Sequence, residues 1–330
     1  MARILAVDVG GTKVDAMLFD VTADDPGPCW ETRETFETPE AGPRGHPRGH
    51  PRGHPEAARA AFVTWLRTIA SRHEVAGWAM AVAGPLSDDR TRIFTCPNLP
   101  FISDTRPGEW ELGPLSGLPF ALANDLEAAA AGEVRWGRHR LRERCALLDT
   151  LSTGWGGALI LRGEVWPGEP GHNPYELGGG APCGCGRQGC YEAYFSGSAA
   201  ARRVRESLAA SGRSLPPDED PNRILGEAAA AGEPWARALL AEIATGIGLN
   251  WGSALNRLSR LDLILYMGGF AVAMMPYLLP TIRATIARVS RFPRHASDDG
   301  LPILPATFTA APYRNPSLVG SAAIWFDRYG

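Results

Sequence analysis

The run Ile4-Leu5-Ala6-Val7-Asp8-Val9-Gly10-Gly11-Thr12-Lys13-Val14-Asp15-Ala16-Met17-Leu18-Phe19 decides how this chain is read. Two apolar-rich segments flank a turn at Gly10-Gly11-Thr12-Lys13, which predicts a β-hairpin and not a strand that feeds a helix. An echo follows about 140 residues on. There Cys145 to Leu151 reads as a strand, Ser152-Thr153-Gly154-Trp155-Gly156-Gly157 as a turn, and Ala158 to Leu161 as the return strand. Buried strands are expected at Trp78–Ala83, Phe120–Ala123 and Leu261–Tyr266, alternating with helical patterns over 56–72, 126–133, 197–211, 222–230, 234–257, 280–290 and 318–328. Strands alternating with helices, opened twice by a glycine hairpin, predict a duplicated α/β architecture.

The chain has 330 residues, 45% of them hydrophobic and 21% charged, which suits two domains and excludes disorder as the main state. A net charge of −3 supplies no field to gather nucleic acid or anionic lipid, so neither partner is expected. No apolar stretch approaching the roughly 18 to 20 residues of a membrane span is apparent, and Asp8 interrupts any signal-like start; a cytoplasmic protein is expected. Residues 42–55 repeat Gly-His-Pro-Arg. Proline at that density forbids a shared helical face for His46, His50 and His54, leaving an exposed low-complexity insertion or a metal tract.

Asp8-x-Gly10-Gly11-Thr12-Lys13 is neither a Walker A loop nor a Rossmann G-x-G-x-x-G. Its small residues still let backbone N–H groups approach an anion, Thr12 adds a hydroxyl and Asp8 can hold hydrated Mg²⁺. Lys13 is the single lysine of a chain that otherwise uses arginine for positive charge. Phosphate is the natural guest of such a turn, and a plain hairpin is the plainer reading. Asn124-Asp125 ends one strand and begins an alanine-rich helix.

His172, Cys183, Cys185 and Cys190 give H-x10-C-x-C-x4-C, with glycines at 184, 186 and 189 to let the chain wrap an ion. Three thiolates and an imidazole suit a closed tetrahedral zinc; free thiols in a glycine-rich loop or an iron centre are the alternatives. A closed zinc organises its loop and leaves no position for water, which makes Glu169 and Glu192 candidates for gripping hydroxyls.

Together these motifs resemble the ROK group (repressors, open reading frames, sugar kinases) of the actin/hexokinase/Hsp70-like superfamily, over almost the whole chain. Asp8 to Lys13 is similar to its first phosphate motif, Leu151 to Gly157 to its second, and Met267-Gly268-Gly269 to its adenosine-side turn. Glu169-x-Gly171-His172 followed by Cys183-Gly184-Cys185-Gly186-Arg187-Gln188-Gly189-Cys190-x-Glu192 resembles the ROK signature, and Leu318 to Ala323 the C-terminal helix. The resemblance implies a duplicated actin-like ATPase (ribonuclease H-like) fold with two domains around an interdomain cleft. Residues 1–123 and a C-terminal helix at 316–330 would form one domain, and 124–315, carrying the zinc loop, the other. It further implies ATP and Mg²⁺ held by Asp8, Gly10, Gly11, Thr12, Lys13, Thr153, Gly154, Gly268 and Gly269. A sugar or sugar-like polyol would be held by Asn124, Asp125, Glu169, His172 and Glu192, with Asp125 as general base, in a homodimer.

Two departures bear on the acceptor. Asn124-Asp125-Leu126-Glu127 is closer to the run of bacterial glucokinases than to the family's NDxN, so glucose is the expected acceptor. Thr153 and Glu169 are 16 residues apart, a trimmed connection that also fits N-acetylmannosamine, fructose or a C7-cyclitol. A rival register through Glu176 discards His172 and the fourth metal ligand. From other classes, a DNA-binding repressor is not expected, since the phosphate hairpin begins at Ile4 and the net charge is negative, and a sugar sensor rests on Ser152, Trp155 and Glu127.

Overall fold

A computed structural model describes residues 2–11, 13–37, 55–96, 99–216, 219–292 and 300–330. Thr12 and all but Pro55 of the Gly-His-Pro-Arg segment lie outside the described residues. The chain folds into two compact units, Met1–Arg142 with Ala310–Gly330, and Glu143–Thr309.

In the first unit the opening hairpin forms as expected: β1 (Ala2–Val9) runs antiparallel to β2 (Lys13–Val21), setting Asp8 opposite Asp15. Beside β2 lies β3 (Pro28–Glu37), while β4 (Gly77–Val82) and β5 (Phe120–Asn124) continue the sheet in parallel from β1. The sheet order is β3-β2-β1-β4-β5. Helix α1 (Pro55–Ser71) buries Phe62, Leu66 and Ile69 at helical spacing. Each such side chain contributes about 1.5–3 kcal/mol of burial. Helix α2 (Asp125–Trp136) packs on α8 (Pro316–Tyr329) where Gly132 faces Gly320; a Cβ on Gly132 would come within 3.1 Å of the Gly320 Cα. That close packing keeps α2 in this unit, which runs on to Arg142, past the expected division at 123.

The second unit repeats the order. β6 (Cys145–Leu151) and β7 (Trp155–Leu161) form the second hairpin, β8 (Glu164–Gly168) adds an antiparallel edge, and β9 (Leu263–Met267) and β10 (Ile303–Pro305) add parallel strands. Read from its edge, the sheet is β8-β7-β6-β9-β10, matching the first strand for strand. The duplicated α/β reading therefore holds.

Helices α3 (Glu192–Phe195), α4 (Gly197–Ala210), α5 (Pro221–Ala230), α6 (Pro234–Arg257) and α7 (Gly269–Val289) complete the unit. Gly248 and Gly252 of α6 let it press against Thr285 and Val289 of α7. With 21 residues, α7 is long and apolar enough to cross a membrane by length and composition, so the expectation that no stretch comes near that size is corrected. Pro276 and Pro280 sit inside it, and sequence reading placed the helix start at the second of them. Its Phe270, Met274, Leu278, Ile282 and Ile286 are buried in the core with Ile247 and Trp251 of α6.

Candidate functional site

The first unit gathers four acids and amides at one end of its sheet. Asn124 ends β5 and caps α2, its Oδ1 accepting the Leu126 N–H at 2.9 Å, while its Nδ2 donates to the Gly84 carbonyl at 3.3 Å. Asp125 is thereby fixed as the first residue of α2. Negative charge at a helix N-terminus is favourable. Asp8, the last residue but one of β1, accepts from Asn315 Nδ2 at 3.0 Å. Burial pushes the Asp8 carboxyl up to about 7 against that hydrogen bond, with the charges of Asp125 and Asp15 adding to the rise.

Asp15 is buried beside it and accepts from Lys13 Nζ at 3.0 Å, Arg33 at 3.1 Å, Thr35 Oγ1 at 2.8 Å and Asn315 Nδ2 at 3.2 Å. Burial pushes its carboxyl up, yet the hydrogen bonds of Thr35 and Lys13 and the Arg33 charge outweigh it and hold the group below its usual range. Gly10 and Gly11 sit at the accessible tip, with Gly10 N–H closing the turn on the Lys13 carbonyl at 3.0 Å. An anion at this tip would meet small residues and a lysine whose side chain is half exposed.

In the second unit the turn at 152–154 is tied on several sides. The N-terminal amides of α4 donate to it, Gly197 to the Ser152 carbonyl at 2.7 Å and Ser198 to that of Thr153 at 3.2 Å. Gly268, at φ +93°, caps the N-terminus of α7, where a Cβ would press within 2.9 Å of Thr150 Oγ1, so the adenosine-side turn and the second hairpin meet. Only glycine takes that conformation without strain. Gly269 opens α7 in free space, and Thr153 is exposed at the hairpin tip. Glu192 leads α3 and accepts the Trp155 backbone N–H on Oε2 at 2.9 Å.

His172 closes a short turn of 3-10 helix after Glu169. Burial raises the Glu169 carboxyl, His172 opposes the rise and Glu192 adds to it, so these three candidates share one electrostatic neighbourhood. His172, Cys183, Cys185 and Cys190 offer ligand atoms that all lie within 4.8 Å of one another. Cys183 Sγ is 3.6 Å from His172 Nδ1, and Cys185 Sγ 3.7 Å from Cys190 Sγ. These separations and the S₃N donor set fit a tetrahedral zinc with ligand bonds of roughly 2.0–2.3 Å. Burial pushes the Cys183 thiol up to about 12; at Cys185 the same push is overcome by hydrogen bonds from Arg187, and the thiol falls to about 6. Cys183 also donates to Glu192 Oε1 at 3.5 Å, which joins the cysteine loop to the second hairpin through one carboxylate.

Glu176 of the rival register lies apart from this cluster, accepting from Tyr194 Oη at 2.8 Å. Sequence reading passed over Asn315, Asp15 and Asp149. The Asn315-Pro316 pair was a legible helix start, and an acid inside the apolar run Cys145 to Leu151 was a legible anomaly.

Two copies of one five-stranded order, each opening on a glycine hairpin, define the actin-like ATPase class of fold. The model of the ROK family matches residues 4–327, and the chain belongs to that family. A glucokinase of Streptomyces coelicolor is 30% identical over 221 residues, covering 62% of this chain and 60% of that protein. An N-acetylmannosamine kinase of Salmonella arizonae is 32% identical over 212 residues, 62% of this chain and 65% of that one. The chain thus spans less than two thirds of the length of these relatives. A solved ROK family glucokinase from Streptomyces griseus, in complex with glucose and AMPPNP, superposes with a TM-score of 0.68 at 24% identity, over 99% of this chain and 100% of that one.

Proposed function

We propose that the protein transfers the γ-phosphoryl group of ATP to the primary hydroxyl of a hexose, in the manner of a glucokinase, releasing ADP and a sugar 6-phosphate. The observation that carries this reading is Asp125, fixed at the head of α2 by the Asn124 cap and within electrostatic reach of Asp8. Asp125 takes the hydroxyl proton as that oxygen attacks the γ-phosphorus in line. Phosphoryl transfer asks the protein chiefly for positioning and charge neutralisation, so a weak carboxylate base suffices.

Asn124, Glu169, His172 and Glu192 hold the sugar hydroxyls; an analogue lacking one leaves its partner in the site unpaired. Gly10, Gly11, Thr12, Lys13, Thr153, Gly154, Gly268 and Gly269 receive the nucleotide. Asp8, beside Asn315, is the carboxylate that would hold magnesium, whose charge would offset that developing on the transferred phosphoryl group. His172, Cys183, Cys185 and Cys190 would hold the structural zinc.

The relatives support glucose and N-acetylmannosamine as acceptors. A coupled assay for ADP with glucose, N-acetylmannosamine, fructose and a cyclitol separates them. Asp125→Asn is expected to abolish turnover with sugar binding nearly intact; retained turnover removes Asp125 from the base role. No ADP with any acceptor supports a sugar sensor instead. The same reading carries a cytoplasmic homodimer, checked by light scattering and cell fractionation.

A further inference from the structure

The second unit holds a cavity of about 350 Å³ whose walls include Asp149, Trp166, Glu169, Asn173, Asn250 and Trp251. Its size falls at the lower end of the range for small-molecule pockets. Asp149 forms part of the wall from the middle of β6 and is 2% exposed. Its Oδ2 accepts the indole N–H of Trp155 and of Trp251, each at 2.8 Å. Its Oδ1 lies over Gly157 and has no hydrogen-bond partner among the described residues. A carboxylate oxygen with free lone pairs in the wall of this cavity can accept from a donor brought by a ligand.

The rest of the lining narrows the guest. Asn250 is 5% exposed and donates one N–H of its Nδ2 to the Pro170 carbonyl at 3.0 Å, leaving its Oδ1 as an acceptor. Glu169 adds a second carboxyl, and the lining contains no lysine, arginine or histidine. Two indoles and the aliphatic Leu147, Leu159 and Ala254 make up the apolar walls. Two acids without a base, a carboxylate oxygen with free lone pairs, and indoles together describe a receptor for a cation with a carbon body.

We propose that this cavity binds a small organic ammonium ion, donating an N–H to Asp149 Oδ1, with its carbon skeleton against the indoles of Trp166 and Trp251. An ammonium brings three donors and a charge, where a hydroxyl brings one donor and none. The burial that raises Asp149 toward neutrality without a cation is offset when one is seated. Glu169 also stands in the proposed acceptor site, so binding is measured without nucleotide, and its outcome is independent of any ADP assay.

Calorimetric titration of the full chain with cyclohexylammonium chloride, and separately with cyclohexanol, tests the site. Saturable binding of the ammonium is expected, at least about tenfold tighter than that of the alcohol. Asp149→Asn keeps an oxygen for the two indoles and removes the charge; it is expected to weaken the ammonium about tenfold and leave the alcohol unchanged. Trp166 is 58% exposed on the edge strand, so Trp166→Ala spares the core and is expected to weaken the ammonium severalfold even if the Asp149 variant fails to fold. Equal affinity for the alcohol, undiminished affinity in a folded Asp149→Asn protein, or absence of saturable binding overturns the proposal.

Discussion

At the hairpin of β1 and β2 the buried Asp15 is surrounded by Lys13, Arg33, Thr35 and Asn315, whereas at that of β6 and β7 the buried Asp149 accepts, among the described residues, from two indole N–H groups. Both acids lie in the sheet beside a glycine turn, and both are 2% exposed. The Thr35 hydroxyl together with the cationic Lys13 and Arg33 outweighs burial in the first case and holds the carboxyl below its usual range. Two indole donors alone do not in the second, and Asp149 is pushed up to about 6. One supersecondary element thus carries opposite electrostatics, set by a few side chains around it. The charged version suits a turn that meets phosphate and metal; the neutral version fixes Trp155, whose backbone N–H holds Glu192.

The largest expected effect breaks the comparison at the cysteine loop, which only the second unit has. Structural zinc contributes on the order of 10 kcal/mol to ordering its ligands. Chelation, or Cys190→Ser, is therefore expected to unfold residues 172–192 and release Glu192 from the second hairpin while leaving β1 and β2 intact. Hydrogen exchange by peptide reads both regions in one experiment, and plasma emission gives the metal content. Undiminished protection over 172–192 in metal-free protein would remove zinc from the account.

Next in size is the pH response of the two acids. Burial pushes the folded Asp149 carboxyl up to about 6, above the ordinary 3.8, so the folded state binds the extra proton. Its stabilising contribution is full below the unfolded value and is lost as pH rises through about 6, a change of up to about 3 kcal/mol between pH 4 and 7. Asp15, held low, contributes in the opposite sense, losing its stabilisation as pH falls below the ordinary carboxylate range. Denaturant unfolding from pH 4 to 7 should show a flatter profile in Asp149→Asn than in the wild type. An unchanged slope would mean that Asp149 does not titrate there.

What could be read in the sequence was local. Both hairpins announced themselves through glycine turns between apolar runs, and Cys145–Leu151 forms the expected strand without revision. The four metal-site residues fall within 19 positions, so spacing alone was informative. Long-range pairings were not legible: Asn315 reaches Asp8 across 307 residues, and Trp251 reaches Asp149 across 102. The start of α7 was hidden because prolines that ordinarily end a helix lie within it. The charged strand β3 and the three-residue β10 carry too little apolar alternation to be recognised before their neighbours are known.

Glycines sharpen the contrast at the next smaller scale. A Cβ at Gly157 would collide with Asp149 Oδ1 and come within 2.9 Å of Pro170 Cγ, with little room to yield between sheet and turn. Gly157→Ala is expected to cost about 2 kcal/mol, as overpacking generally does. At Gly10 the nearest atom is the Lys13 carbonyl oxygen at 3.1 Å, on a turn open to solvent, and Gly10→Ala should cost less than about 1 kcal/mol. Thermal or denaturant melts of the two variants measure the difference; a reversed order would show the second hairpin to be the looser one.

The smallest change asks whether the first hairpin's charges are held from the far end of the chain. Asn315 uses both ends of its amide: Oδ1 accepts the Leu318 N–H at 3.0 Å to cap α8, while Nδ2 donates to Asp8 and Asp15. Asn315→Ala loses both functions and should cost about 1 kcal/mol through the cap. Asn315→Asp keeps an oxygen for the cap, so its melt should return toward the wild type, yet it turns a carboxylate where the donor stood, against two others. Stability and catalysis are then expected to part: the aspartate variant folds well but shows a raised KM for magnesium-ATP beyond that of the alanine variant. If KM instead tracks the melting temperature in both, Asn315 serves the helix cap alone, and the acids of the first hairpin are organised by Lys13, Arg33 and Thr35 without it.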